Sequence, residues 1–112
     1  MDQLNHYRET IRRVLGDYAA WVTKPGGSVR AEVVFDPALD HFELVRLGWE
    51  GHRRVHVVMF HLDLIDGKIW VQYDGTDQPI AEELVRAGVP KEDIVLAEHP
   101  PEVRPHTGYG VG

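Results

Sequence analysis

Seven histidines and eighteen carboxylates, with no cysteine in 112 residues, bound the chemistry open to this chain. Neutral imidazole is the commonest protein ligand for transition metals, and a carboxylate beside an imidazole orients it for acid–base work. His61 and Asp63 stand two apart in a β-prone run, so they share one face of a strand. His56 and His61 are five apart and are expected on opposite faces. That leaves one pair of possible ligands, where structural zinc takes four and catalytic zinc usually three protein ligands. No metal and no cofactor is therefore expected. The same pair resembles half of an acid–base relay, but no motif places a serine or threonine nucleophile beside it. A small-ligand-binding or enzymatic domain centred on His61 and Asp63 stands as an alternative reading.

Asp36, Asp40, Asp63, Asp66 and Asp74 recur near strand ends, as a magnesium site would require, yet four of them fall where turns and hairpin ends favour aspartate anyway. Arg53 and Arg54, after His52 at a hairpin, and Arg12 and Arg13 on the first helix are the only basic concentration. Such side chains suit phosphate or an acidic protein surface. Gly108-Tyr109-Gly110 lacks the preceding strand and following helix that a nucleotide-binding glycine fingerprint needs.

The elements that position these residues can be read from apolar spacing. Leu4, Tyr7, Ile11, Val14, Leu15, Tyr18 and Ala19 recur at steps of three and four, which predicts an amphipathic helix capped by Asp2 and ending near Trp21 or Val22. Thr23 to Ser28 breaks it. Val29 to Phe35 alternates as a half-buried strand with Val29, Ala31, Val33 and Phe35 on one side. A second strand runs from His41 to Trp49, with Val45, Leu47 and Trp49 on a common face. The third, Arg53 to Ile65, differs: Val55, Val57 and Met59 alternate with Val58, Phe60, Leu62 and Leu64, so both faces are apolar and both call for cover. Asp66-Gly67 is a two-residue loop suited to a type I′ turn, and Lys68 to Asp74 is the fourth strand. Gln78 to Ala87 is expected as a second helix, closed by Gly88 at a left-handed position, Val89 and Pro90. Beyond His99, prolines and glycines predict a mostly extended tail. The order gives an α+β fold over residues 1–112 as a single domain: a four-stranded antiparallel meander with an N-terminal helix, a second helix after the fourth strand and a C-terminal tail.

Composition narrows function further. Apolar residues at 43% and charged residues at 27% match an ordinary folded chain. A net charge of −6 disfavours non-specific binding to a phosphate backbone. No leader and no apolar run near the roughly 20 residues of a membrane span is visible, so a cytoplasmic protein is expected. The two-faced third strand argues for association, with a homo-oligomer, a partner or the tail as cover. Trp49 and Trp70 are the aromatics best suited to a protein contact. The expected partner surface comprises Trp49, Arg53, Arg54, Met59, His61, Trp70, Arg104 and Tyr109.

Several blocks together resemble the XisI family, the fdxN-element excision controlling factors of cyanobacteria. They are the opening Met1 to Arg8, Gly48-Trp49-Glu50-Gly51 followed by Arg53-Arg54-Val55, the hairpin His61 to Thr76, the run Ala87 to Leu96, and the ending Thr107 to Gly112. The resemblance covers nearly the whole chain in order. It implies a non-enzymatic accessory protein for a DNA rearrangement in which a site-specific recombinase removes an element. It also implies a nuclease-like XisH partner, and it carries over no catalytic residues. A direct DNA-binding factor using Arg12, Arg13, Arg53 and Arg54 is the other reading the residues leave open.

Overall fold

A computed structural model describes residues 2–112. The chain runs α1 (Gln3–Val22), β1 (Val29–Asp36), β2 (His41–Glu50), β3 (Arg53–Ile65), β4 (Lys68–Asp74), α2 (Ile80–Arg86), a 3-10 turn (Lys91–Asp93), β5 (Ile94–Leu96) and a second 3-10 turn (Arg104–His106). The Asp2 side chain accepts the Asn5 amide at 2.7 Å and starts α1. At its other end, Thr23 Oγ1 accepts the Ala31 amide and ties the helix exit to β1. The sheet order is β1-β2-β3-β4-β5. Its first three pairings are antiparallel and the last is parallel.

Several expectations are corrected here. The sheet has five strands and is mixed, because the chain crosses over through α2 and lays Ile94–Leu96 parallel against β4. The tail is folded into turns rather than extended. Pro100, Pro101 and Pro105 cannot donate to a ladder, and only Gly110 pairs with the sheet edge, donating to Ile94 O at 2.7 Å. Helix α2 is also shorter than its apolar spacing suggests. Gln78 precedes a proline and is steered away from helical dihedrals, so Pro79 becomes the cap residue. The Asp74 carboxylate accepts the Ile80 amide at 2.7 Å in place of a local cap. At the far end, Val89 N–H bonds to Leu84 O and Gly88 N–H to Val85 O, with Gly88 at φ 104°: the expected Schellman closure.

The third strand gathers most of its apolar residues on one face. Val45 pairs with Val58 but Leu44 pairs with Phe60, so Met59 is an extra residue, a β-bulge that shifts the register by one. Because side chains alternate with period two, this shift puts Val55 and Val57 on the same side as Phe60, Leu62 and Leu64. That side carries both helices, whose Tyr7, Ile11, Leu15, Ile80, Ala81 and Leu84 join Phe42, Leu44, Phe60, Leu62, Ile69 and Val71 in one buried cluster. The β2 face that packs there is accordingly Phe42 and Leu44, whereas Val45, Leu47 and Trp49 face away from the helices. Burying each such large side chain contributes about 1.5–3 kcal/mol.

The turn between β1 and β2 is locked to α1 by charge. Arg8 Nε and Nη2 donate to the two oxygens of Asp40 at 2.7 and 3.0 Å, and Asp40 sits at a left-handed φ of 48° that Asp and Asn tolerate. The hydrogen bond from Arg8 holds the Asp40 carboxyl below its ordinary value of 3.8. A carboxyl depressed in the folded state stabilises above its unfolded pKa and loses that contribution as pH falls through its folded pKa. Asp40→Asn is thus expected to melt roughly 2–5 °C below the wild type at pH 7 and to lose the difference as pH falls below the ordinary carboxylate range. Melting curves across that range check it; a constant offset at every pH would mean the turn, not the ion pair, carries the effect.

Candidate functional site

Among the described residues, the face of the sheet away from the helices carries the one concentration of imidazoles. On β2, His41 and Glu43 are two apart and project together; on β3, so do His61 and Asp63. The register after the Met59 bulge sets His41 opposite Asp63 and Glu43 opposite His61. Two imidazoles and two carboxylates therefore occupy the alternate corners of a cross-strand square. Without the bulge, the β2–β3 turn register would place Leu62 opposite His41 and Phe60 opposite Glu43.

The square is closely hydrogen-bonded. Asp63 contacts both imidazoles, Oδ1 lying 2.8 Å from His41 Nδ1 and Oδ2 3.1 Å from His61 Nε2. His41 Nε2 is 2.9 Å from Glu43 Oε2. The two rings meet edge to face with centroids 4.2 Å apart. The hydrogen bond to Glu43, then that to Asp63, raises the His41 pKa above 6.5, opposed by partial burial. Side-chain exposures of 25% for His41, 29% for Glu43, 30% for His61 and 18% for Asp63 leave the square accessible to water and small ions. Among the described residues no buried side-chain nitrogen or oxygen lacks a partner.

His61 and Asp63 are adjacent, as their spacing predicts, but His41 and Glu43 were not singled out by the sequence reading. A His-x-Glu on one strand and a His-x-Asp on the next are the signal for them, and only the register joins the two. The expectation that His56 and His61 point to opposite faces is also corrected. The bulge between them returns both to the open face, where His56 pairs with Leu47.

The other sequence candidates divide into three places. Trp49 and Arg54 are directly paired on the open face near the β2–β3 turn, the guanidinium lying 5.5 Å from the indole centroid, and Trp49 is 50% exposed. Arg53 pairs with Glu50 in the same hairpin end. Met59 is the bulge residue and packs on the core. Trp70, on the open face opposite Asp63, lies under Arg104 at 5.2 Å, so the tail covers it. Tyr109 packs against the core margin with Lys91 over its ring. Arg12 lies over Phe35, on the helix side of β1, so Arg12 and Arg54 belong to opposite layers, whereas Arg53, two residues before Val55, falls on the helix side. Four of the five aspartates do turn or capping work: Asp36 accepts the Ala38 amide, Asp40 holds Arg8, Asp66 turns at φ 52° and Asp74 caps α2. Among the described residues no helix is long and apolar enough to cross a membrane.

Comparison with known proteins gives a family and a fold. The family model for XisI protein matches residues 1–111. A solved XisI-like protein from Anabaena variabilis ATCC 29413 is 38% identical, with 97% of this chain and 99% of that chain covered and a TM-score of 0.87. The solved fdxN element excision controlling factor XisI from the same organism is 32% identical, covering 99% and 100% of the two chains with a TM-score of 0.80. No curated protein matches.

Proposed function

The chain belongs to the XisI family, and from that premise we propose that it is a non-enzymatic accessory protein that controls excision of a DNA element together with an XisH-like partner. The full-length likeness to an excision controlling factor carries this reading. The net charge of −6 supports a protein partner over bare DNA, and the separation of Arg12 from Arg54 onto different layers leaves those arginines without a common basic surface. The partner surface we assign is the open sheet face around Trp49 and Arg54. An exposed tryptophan stacked with an arginine combines the two residue types most enriched at interface hot spots.

Co-expression of the tag-free chain with an XisH-like protein tests the reading. The two are expected to co-purify, and Trp49→Ala or Arg54→Ala to weaken the complex by more than about tenfold. Failure of the folded wild-type proteins to associate overturns it. A salt-sensitive gel shift by the isolated chain would instead support direct DNA binding.

A further inference from the structure

We propose that His41, Glu43 and His61 form a binding site for a divalent transition metal of the zinc class, with Asp63 as the residue that orients both imidazoles. One nitrogen from each imidazole and one oxygen of Glu43 already lie within 4.8 Å of one another. Ligands about 2.1 Å from a tetrahedral zinc stand about 3.4 Å apart, so small side-chain rotations bring the three onto one ion. Two histidines and one glutamate are a donor set that zinc and its neighbours use, and three protein ligands leave a position open. The partial exposure of all three side chains gives that position access to solvent.

Asp63 supplies what distinguishes a metal site from a chance cluster. Metal-ligating imidazoles commonly donate their second nitrogen to a carboxylate, which sets the tautomer and the ring angle. Here one carboxylate does this for both rings, taking Nδ1 of His41 and Nε2 of His61. The other nitrogen of each ring is then the ligand. For His41 that is Nε2, which already faces Glu43 at 2.9 Å. All four residues stand on adjacent, mutually hydrogen-bonded strands, which hold a constellation more tightly than loops do. Once His41 gives up the proton it shares with Glu43, two carboxylates beside two neutral imidazoles give the square a formal charge of −2, which a divalent cation neutralises.

The site is independent of the partner reading and is tested on the isolated, tag-free chain. Calorimetry with Zn2+ is expected to give one site per chain. His61→Ala and Glu43→Gln should each weaken it by more than about tenfold, and Asp63→Asn, which keeps every ligand, by about 10–100-fold. His56→Ala, a histidine on the same face but outside the square, should bind as the wild type does. Co2+ should give visible d–d bands that Zn2+ abolishes. On the wild-type chain alone, Zn2+ should shift the imidazole proton resonances of His41 and His61 and leave those of His6, His52, His99 and His106 in place; this readout needs no variant to fold. The proposal is overturned if the wild type takes up no Zn2+ at about 100 µM, if folded His61→Ala binds as tightly as the wild type, or if the ion shifts the other histidines and not these two.

Discussion

Gly48→Ala is expected to cost more than about 4 kcal/mol, a large share of the stability of a chain this size. Gly48 sits in β2 opposite Val29 and Val55, at a φ of 143° that side chains seldom adopt. A Cβ placed there would stand 1.9 Å from Ser28 O and 2.7 Å from Val29 Cα. Both obstacles are backbone, so no rotamer change relieves them. The entry to β1 would have to move, and with it the hydrogen bond from Trp49 N–H to Ser28 O. Gly16→Ala makes the matching control: nothing lies within 4 Å of its Cβ position in α1, and it should stabilise by about 0.5–1 kcal/mol. Urea melts of the two variants beside the wild type decide the matter, and a Gly48→Ala protein with an unchanged midpoint would refute the close approach of Ser28.

Phe60→Ala should lose about 3–5 kcal/mol, the range for truncating a buried aromatic. Phe60 is fully buried, packs edge-on against Tyr18 with centroids 4.9 Å apart, and is the first residue after the bulge. It anchors the phase in which Phe60, Leu62 and Leu64 all face the helices. Simple alternation would put Val58 on that same side, whereas the bulge puts Val57 and Val55 there instead. Val58→Ala is therefore expected to cost less than about 1 kcal/mol. If denaturant midpoints ranked Val58→Ala with Phe60→Ala, the strand would be running without its bulge.

Much of the frame was legible because it rests on local rules. Asp2 caps α1, Asp66 and Gly67 take the positive φ values of a tight hairpin, and Gly88 closes α2 as its position before Val89 and Pro90 predicts. Each of these depends on residues within a few positions. Ile94–Leu96 is a short apolar run in the sequence, but its parallel place beside β4 depends on where α2 returns the chain, which is a long-range matter. The folding of the tail over Trp70, through Arg104, is of the same kind.

The candidate site shows the division most clearly. Residue type and spacing alone paired His61 with Asp63, and the family resemblance ran along the chain without any structure. The apolar pattern of β3 likewise contained the phase change between Val57 and Phe60, but a phase change in sequence has two meanings: a strand buried on both faces, or a strand with one residue to spare. Only the tertiary structure decided between them. The bulge at Met59 keeps Val55 and Phe60 on one side, which a strictly period-two strand has no way to do. The one-residue shift that completes the core also carries His61 and Asp63 opposite Glu43 and His41, so the square of histidines and carboxylates follows from how the apolar side of the sheet is packed.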